Sequence, residues 1–522
     1  MKKIYFILIV LCIAMFGMAY FYFSKLNTGS DYQENSLYAA TANSGLVFSV
    51  YNDQRIFDIL KGQDLFLQLL GKEKSEQLLL LKDKIADQPA INSLLTNNDI
   101  LISFVPGPGK KISYMISTQL QQDVQKQQLL EALKKGGIQV RQEKELYHIN
   151  LTDSISFYLG IDKNLILISE AREPIEKSLE LMPLKKSQAF VNYIRSAGKL
   201  RQNSLGNLYV DFSKIPELLS AVLPGKLSGN LAILNQLESF ATLNYNFSKE
   251  RIFLNGSTKV SEQDQYLHIF SEMQPARITI DQILPDNTSN YRLYSIPDYQ
   301  TKFKPALDRI FSSQKKDQQI SRILNEIKQT YRLDPNKIFP VYFKDQLITF
   351  QLKTGENLAA INLSNGEMVG QLLLDISVAY DSEIQQLKSS GLLFAYFGDP
   401  MRSFDTPYYT IIDNNLIVAN QPSTLQDILR KYKSDNLLIN TKEYTALYNQ
   451  LSKTAGISFY LNPENSAELA RKTLFTPFYK HFLSQQGFRA FSSILLQLNG
   501  DKGRFQTNFM INTPEQLLNP KQ

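Results

Sequence analysis

The sequence repeats one stretch, and this repetition limits the possible architectures more than any single residue does. Ile161–Leu167 reads IDKNLIL, and Ile412–Val418 reads IDNNLIV, 251 positions later (412 − 161). An internal repeat of this period indicates two copies of one folding unit rather than a single large fold. We therefore interpret the chain as a tandem duplication.

Other landmarks keep nearly the same spacing. Each matching stretch is followed by a pair of apolar residues at helical i, i+4 spacing, then by a strand that a glycine opens, and finally by a hairpin. In the first copy these are Ile175 with Leu179, Gly206–Asp211, and Phe240–Phe247 with Arg251–Thr258. In the second copy they are Leu425 with Leu429, Gly456–Leu461, and Phe491–Leu498 with Arg504–Ile511, joined by a turn at Asn499–Asp501. The earlier parts match more loosely, with Tyr291–Ile296 corresponding to the first strand, Gly45–Val50.

The predicted strands follow one another through short turns. Ile100–Phe104 and Ile112–Ile116, for example, flank the turn Pro106–Gly109. Short turns join antiparallel neighbours, and strict strand–helix alternation is missing from the pattern. We therefore expect the α+β class, with an N-terminal transmembrane helix followed by two tandem duplicated domains of mainly antiparallel sheet with packed helices.

The predicted domain boundaries follow from these landmarks and from composition. Residues 272–290 contain Pro275 and Pro285 and form a plausible linker, although Ile278–Ile280 has the composition of an additional strand. The predicted parts are an anchor or signal (1–24), a polar spacer (25–37), a first repeat domain (38–271), the linker (272–290), a second repeat domain (291–515) and a tail (516–522).

The N-terminal run from Ile4 to Phe23 contains no charged residue and follows Lys2 and Lys3. A helix of about 20 residues is long enough to cross the hydrocarbon core of a bilayer, about 30 Å thick. Lysines before the run favour a cytoplasmic N-terminus and an exported body. A cleaved signal peptide is the alternative, because Gly17–Ala19 places small residues where a signal peptidase acts.

The only cysteine, Cys12, lies inside this run and follows the bulky Leu11, unlike a lipoprotein cysteine. The rest of the chain therefore has no cysteine for a disulfide, whereas a secreted eukaryotic ectodomain of this size usually has several. We expect a single-pass protein of the bacterial inner membrane, with its body in the periplasm or otherwise outside the cytoplasm.

The charge of the chain is only moderately positive. Its net charge is +6, and Lys2, Lys3 and Lys25 supply three of these charges. Lysine pairs such as Lys110–Lys111 and Lys315–Lys316 are scattered, whereas nucleic-acid-binding proteins concentrate basic residues on one face. The expected partners are therefore the membrane, through Ile4–Phe23, and an envelope protein or ligand, but no nucleic acid.

Motifs for catalysis or metal binding are missing from the sequence. His148, His268 and His481 have no ligand-like neighbours at metal-binding spacing, and the first two alternate in predicted strands. Pro106–Lys111 resembles a phosphate loop only superficially, since it lacks G-x-x-x-x-G-K-[ST], and no G-x-S-x-G occurs. We predict no catalytic, cofactor-binding or metal-binding residues and no cofactor.

Aspartates at predicted turns and strand ends are the remaining candidates for chemistry. Asp162 and Asp413 recur in the repeat, but Asp and Asn favour turns because they hydrogen-bond their own backbone. Asp99 and Asp345 are similar cases. The aromatic residues, such as those of the predicted strand Phe394–Phe397, are expected to fill the core.

The single span, the spacer and the two α+β copies give the chain a family resemblance. With Ile161–Ile168 and Ile412–Val418, Gly206 and Gly456, and the closing hairpins, it resembles the uncharacterised bacterial membrane-anchored envelope proteins of domain-of-unknown-function family 3352. This resemblance covers nearly the whole exported body. It implies no known activity and no catalytic residue.

Two functions follow from these observations. The first is a non-enzymatic, membrane-anchored extracytoplasmic protein that binds or scaffolds a partner through its duplicated domains, since surfaces between domains often host binding sites. The alternative is an envelope hydrolase or transferase that uses dispersed carboxylates, such as Asp211 or Asp399, because such pairs leave no local motif.

Overall fold

The computed structural model describes a large part of the chain after residue 33. The described residues are 34–50, 69, 71–95, 100–107, 109–121, 123–197, 206–225, 239–246, 251–260, 265–448, 450 and 452–513. The predicted span Ile4–Phe23, most of the spacer, most of the predicted helix Phe57–Leu70 and the tail 516–522 lie outside these residues. Among the residues that are described, no helix combines the length and the apolar character needed to cross a bilayer.

The chain divides into two compact units whose boundary differs from the predicted one. Unit 1 takes its described residues from 1–59 and 76–202, and unit 2 takes its own from 60–75 and 203–522. The last part of the predicted first domain, after residue 202, therefore groups with the second half of the chain.

Unit 1 contains an antiparallel sheet. Its strands are β1 (Leu46–Val50), β2 (Ile100–Gly107), β3 (Lys111–Gln119), β4 (Gln139–Glu143), β5 (Leu146–Asn150), β6 (Ser156–Asp162) and β7 (Leu165–Ser169). They pair in the order β1-β2-β3-β7-β6-β5-β4. The α-helices of this part of the chain are Glu34–Ala42, Lys72–Leu81, Pro89–Asn92, Lys126–Lys135, Arg172–Leu181 and Gln188–Ala197.

Unit 2 contains a longer antiparallel sheet. Its strands are β8 (Gly206–Asp211), β9 (Ser239–Asn246), β10 (Arg251–Val260), β12 (Thr288–Ser295), β13 (Phe343–Leu352), β14 (Asn357–Leu363), β15 (Ser377–Ala379), β16 (Gln385–Leu387), β17 (Tyr408–Ile412), β18 (Asn415–Ala419), β20 (Ile457–Leu461), β21 (Ser493–Asp501) and β22 (Arg504–Asn512). Two short strands, β11 (Ala276–Arg277) and β19 (Thr454–Ala455), pair separately. The chain is therefore α+β, with large antiparallel sheets and many helices, as the sequence predicts.

The α-helices of unit 2 connect these strands. They are Ile215–Ser220, Tyr266–Ser271, Lys304–Ser313, Asp317–Tyr331, Phe339–Tyr342, Gly366–Leu374, Leu392–Phe397, Pro422–Lys433, Lys442–Tyr448, Ala467–Thr473 and Thr476–Leu483. Helix starts follow ordinary capping rules: the Asn365 side chain accepts a hydrogen bond from the Met368 amide, and Pro422 occupies the first turn of its helix.

The same strand order occurs in both units. The order β1-β2-β3-β7-β6-β5-β4 of unit 1 corresponds to β12-β13-β14-β18-β17-β16-β15 of unit 2. Helices occupy matching places: Lys126–Lys135 and Gly366–Leu374 each follow the third strand, and Arg172–Leu181 and Pro422–Lys433 each follow the seventh. Two sheets thus share one connectivity.

Each residue of the first closing hairpin can be matched with the residue 253 positions later in the second (504 − 251). Phe253 pairs with Asn246 in the first hairpin, and Gln506 pairs with Asn499 in the second, so both strands of each hairpin obey the same shift. Within unit 2 the last strands of the two hairpins, β10 and β22, also pair with each other. Asn255 lies opposite its own counterpart, Asn508, which makes this pairing symmetric about a local twofold axis.

The unit 2 sheet is covered on both faces. Leu347, Ile361 and Leu416 belong to one buried cluster, whereas their chain neighbours Ile348 and Ile417 belong to another. Successive strand residues point to opposite faces, so each face has its own apolar core. This explains the continuous apolar runs in these strands.

Several sequence predictions need correction. Phe394–Phe397 is not a strand but part of the fully buried helix Leu392–Phe397, because its aromatic run packs on all sides. His268 lies in the helix Tyr266–Ser271 rather than in a strand. The last hairpin turns at Lys502–Gly503, not at Asn499–Asp501, because these two residues adopt the positive φ values (52° and 83°) that a two-residue turn requires.

The segment 272–290, which the sequence predicts as a linker, contributes to the core. Ile278, Ile280, Ile283 and Leu284 are buried against β12, β13 and β14. The extra strand predicted at Ile278–Ile280 is only the two-residue strand Ala276–Arg277, and Ile280–Ile283 forms a 3₁₀ turn instead.

Candidate functional site

A buried carboxyl group lies at the centre of the strongest candidate site in the described residues. Asp281, in the 3₁₀ turn Ile280–Ile283, is 2% exposed. The Tyr444 hydroxyl donates a hydrogen bond to its Oδ2 at 2.9 Å. Aspartate is rarely buried unless it is paired, so this position needs a physical explanation.

The hydrogen bonds continue to a second tyrosine. The hydroxyls of Tyr291 and Tyr444 lie 2.9 Å apart. Because the Tyr444 proton is directed at the carboxyl group, Tyr291 donates to Tyr444. The Tyr460 ring stacks on Tyr291 at 5.1 Å and meets Tyr444 edge-on at 5.3 Å. We call Asp281, Tyr291, Tyr444 and Tyr460 the tyrosine–aspartate cluster.

Four elements of unit 2 position this cluster, one of them the 3₁₀ turn that carries Asp281. Tyr291 and Tyr460 lie opposite each other on the paired strands β12 and β20, which brings their rings together. Tyr444 comes from the helix Lys442–Tyr448 and reaches across to Asp281. Residues distant in sequence therefore meet only in the folded chain.

Burial determines the protonation of the cluster. Desolvation raises the pKa of Asp281 above its usual range, and the hydrogen bond from Tyr444 partly opposes this. Desolvation also raises the pKa of Tyr444 and Tyr291 well above the ordinary tyrosine value. Both phenols are thus neutral donors over the whole physiological pH range.

Gln346 fixes the backbone that carries Asp281. Its Oε1 accepts hydrogen bonds from the amides of Thr279 and Ile280, each at 3.0 Å, and its Nε2 donates to the Arg277 carbonyl. The pairing of Ala276–Arg277 with Thr454–Ala455 holds the same segment from the other side. The carboxyl group is therefore held by its surroundings in one position.

The cavity beside the cluster is very small. It is lined by Ile278, Tyr291, Tyr444, Leu447, Ser458 and Gln497, among others, and its volume is about 10 Å³. That volume is at the lower limit for a single water molecule. The cluster therefore cannot admit a substrate in this conformation, and its contacts join segment 276–283 to the sheet.

The histidines do not form a site. His148, on β5, meets the Tyr158 ring edge-on at 5.1 Å. His481 packs edge-on against Phe488, and its ring contacts Gly71. Within the part of the chain that the structure describes, no group of three His, Cys, Asp or Glu side chains is arranged for metal binding.

The carboxylates suggested for a dispersed catalytic pair have separate local roles. Asp211 Oδ1 accepts hydrogen bonds from the amide and hydroxyl of Ser213 and so caps the turn after β8. Asp399 is half exposed and forms an ion pair with Arg402, three residues further on. The structure does not bring the two carboxylates together through any contact among the described residues.

Of the two aspartates of the repeated stretch, Asp413 occupies a turn, as the sequence predicts, whereas Asp162 is the last residue of β6 and pairs with Leu165 beside the turn. Asp413 and Asn414 have positive φ values of 45° and 59° and join β17 to β18. In the first copy the turn residues are Lys163 and Asn164, so the turn falls one position later along the matched stretch. Asp99 lies outside the described residues.

Two further candidates are also structural. Asp345, at the start of β13, is half buried, and this burial raises the pKa of its carboxyl group. Its backbone carbonyl accepts a hydrogen bond from the Ile296 amide. Around Pro106–Lys111, β2 and β3 form a hairpin that pairs Gly107 with Lys111. The described part of this segment is therefore a turn between strands, as predicted.

The sequence analysis missed Asp281, which no local motif marks. The one available signal was its setting: a lone acid within the apolar run Ile278–Leu284. An acid there is either exposed on one face or buried with a partner, and the partner Tyr444 is 163 residues away.

Comparisons with known proteins add no relative: the chain matches no family model, and no curated protein and no solved structure is significantly similar to it.

Proposed function

We propose that this chain is a membrane-tethered binding or scaffold protein of the bacterial envelope, built from two copies of one α+β domain. The observation that carries the proposal is the repeated connectivity. The same order of seven strands occurs twice among the described residues, with helices in matching places.

The closing hairpins give independent support to the duplication. One shift of 253 residues relates both strands of one hairpin to both strands of the other, and identical residues match at Arg251 and Arg504, and at Asn255 and Asn508. Any two hairpins with matching turns can be related by one shift, so the support comes from the identical residues at the matched positions. Two like domains offer two like surfaces, which suits binding or scaffolding.

The chemistry of the tyrosine–aspartate cluster also favours binding over turnover. Its only carboxyl group and two of its hydroxyls are engaged with one another. The adjoining cavity, about 10 Å³, has no room for a substrate. A binding protein requires instead an accessible surface.

The proposed tether is Ile4–Phe23, and a charge at its centre tests it. In the full-length chain expressed in a bacterium, Ile13→Arg costs about 2.5–3.5 kcal/mol of insertion free energy, whereas the control Ile13→Leu is neutral. We expect the parent and the control in the membrane fraction, with the body digested by protease only after the outer membrane is permeabilised. A parent chain recovered in the soluble fraction would contradict the tether.

Binding and catalysis are separated by a second experiment on the full-length chain. Cross-linking in intact cells is expected to join the body reproducibly to one envelope component. The purified chain is also incubated with envelope glycans, lipids and peptides. Turnover that Asp211→Asn or Asp399→Asn abolishes would overturn the proposal in favour of the hydrolase.

A further inference from the structure

The short strand β15 lies at the edge of the unit 2 sheet, as far as the described residues go. Among the described strands it pairs only with β16. The Ile376 carbonyl accepts the Lys388 amide, and the Tyr380 amide donates to the Ile384 carbonyl, so the backbone groups of these two residues point toward β16. Because strand residues alternate, the backbone groups of Ser377 and Ala379 point the other way, toward the open edge.

Exposed apolar side chains concentrate on β15 and in the segments next to it in sequence. Met368, Leu374, Val378 and Tyr380 are large apolar residues that are between 37% and 55% exposed. They lie on β15, directly after it, or on the helix Gly366–Leu374 that leads into it. We call these four residues the edge patch. Together with an unpaired strand edge, such a patch marks an interaction surface.

All the charged residues in the stretch of sequence around the edge patch are acidic. Between Lys353 and Lys388 the chain has no Lys, Arg or His, but five acids: Glu356, Glu367, Asp375, Asp381 and Glu383. Asp375 and Asp381 are exposed on either side of β15, and Glu383 pairs with Lys433. In a chain with a net charge of +6, this is a local reversal of sign.

The corresponding strand of unit 1 carries charges that oppose the addition of another strand, whereas β15 does not. By strand order the counterpart of β15 is β4, which among the described strands pairs only with β5. β4 carries Arg141 and Glu143, and charges within an edge strand oppose the addition of another strand. β15 reads Ser-Val-Ala and has no charge within it. The two copies thus differ at the position that controls strand addition.

We propose that β15 binds an extended peptide segment of a partner protein, which adds a strand to the sheet and has apolar residues flanked by Lys or Arg. This deepens the proposed function, on which it rests, by naming the kind of partner. The peptide backbone bonds to the exposed Ala379, its apolar side chains cover the edge patch, and its basic residues face Asp375 and Asp381.

A second copy of the chain is a poorer occupant. Antiparallel pairing of two β15 strands about Val378 would bring the acids that flank β15 in one copy, Asp375 and Asp381, close to those of the other copy. Like charges directly opposite each other destabilise strand pairing. Charge complementarity therefore selects a basic partner.

The test uses the full-length chain in detergent micelles and a fluorescein-labelled heptapeptide, Lys-Val-Thr-Val-Thr-Val-Lys. Its two lysines are six positions apart, as Asp375 and Asp381 are, and its three valines lie in the alternate register, on the face of Val378 and Tyr380. Fluorescence anisotropy is expected to show saturable binding that weakens with added salt. The same peptide with glutamates in place of both lysines should bind at least ten-fold more weakly.

Variants connect the binding to the edge. Two variants should each weaken binding at least ten-fold. Val378→Lys places in the patch a positive charge that repels the lysines of the peptide. Ala379→Pro removes an outward amide but leaves the pairing of Val378 with Gln386. The matched control is Leu184→Lys, a similarly exposed apolar residue in unit 1, which should bind as the parent does. Circular dichroism verifies that each variant is folded.

Three results would overturn the inference. The first is equal binding of the lysine and glutamate peptides, and the second is parent-like binding by a folded Val378→Lys variant. The third is concentration-dependent dimerisation of the parent in analytical ultracentrifugation that Val378→Lys abolishes, since the occupant would then be a second copy. None of these results concerns the membrane tether, so they leave that part of the proposed function standing.

Discussion

Removing the Tyr444 hydroxyl tests whether the tyrosine–aspartate cluster is a structural lock. This hydroxyl bonds to Asp281 and to Tyr291, each at 2.9 Å, in a fully buried setting. A bond to a carboxylate contributes about 1.5–3 kcal/mol, and a neutral bond contributes about 0.5–1.5 kcal/mol. Tyr444→Phe should therefore lower the free energy of unfolding of unit 2 by about 2–4 kcal/mol.

Two matched variants separate the hydroxyl bonds from the packing of the rings. Tyr291→Phe removes only the neutral bond, so about 1 kcal/mol is expected. Tyr460 is equally buried but stacks through its ring, and Tyr460→Phe should cost less than Tyr444→Phe. The expected order of destabilisation is Tyr444, then Tyr291, with Tyr460 at or below the latter.

Urea unfolding of the full-length chain, followed by circular dichroism, gives the free energies. Hydrogen exchange of the peptides covering 276–295 and 442–461 localises the effect, because loss of the lock should speed exchange in both segments. If Tyr444→Phe costs no more than Tyr460→Phe, the hydroxyl chain does not stabilise the fold and our interpretation of the cluster is wrong.

Three further predictions concern stability. Burial raises the pKa of Asp281, so its contribution to stability is present while the carboxyl group is protonated and is lost as the pH rises through the folded-state pKa. The urea midpoint of Asp281→Asn should therefore rise relative to the parent as the pH is raised from about 4, the ordinary value for an unfolded chain, and a constant difference would contradict this. Gly256→Ala places a Cβ 2.0 Å from the Thr242 carbonyl oxygen and should lower the unfolding free energy by about 2–4 kcal/mol, measured beside Ser257→Ala; equal effects would refute the steric argument. Lys502→Asn should raise the thermal midpoint slightly, by about 0.5 kcal/mol in stability, because Asn tolerates positive φ before Gly503, whereas Lys502→Val should lower it.

The sequence predicted the local elements well because local signals determine them. The strands at Gly45–Val50, Ile100–Phe104 and Gly206–Asp211 all appear within a few residues of their predicted bounds. Their alternating or continuous apolar runs and their flanking turn residues are properties of short windows. The α+β class followed from the turns between them.

The misassigned elements were those that tertiary packing decides. Phe394–Phe397 has the aromatic composition of a strand, but burial on every side favours a helix there. For the last turn, Asn499–Gly500–Asp501 is the stronger signal by composition. The pairing of β21 with β22 nevertheless continues past it, and Gly500 is needed where the carbonyls of Phe270 and Met273 approach closely.

The candidate sites needed the structure for a different reason. The cluster depends on residues 281, 291, 444 and 460, which no window of the sequence contains together. The edge patch was partly visible, since the stretch without basic residues between Lys353 and Lys388 can be read directly. That β15 lies at an edge follows only from the strand order.

The pairing of β10 with β22 about Asn255 and Asn508 has a consequence for how such a chain can assemble. A strand that matches its own counterpart is self-complementary, so a protein ending after one copy would present this edge to a second molecule and form a twofold-symmetric dimer. On the proposed duplication, the fusion of both copies in one polypeptide makes the same contact intramolecular. Its formation is then independent of protein concentration. The strand edge is already paired within the chain and is not available to pair with another molecule.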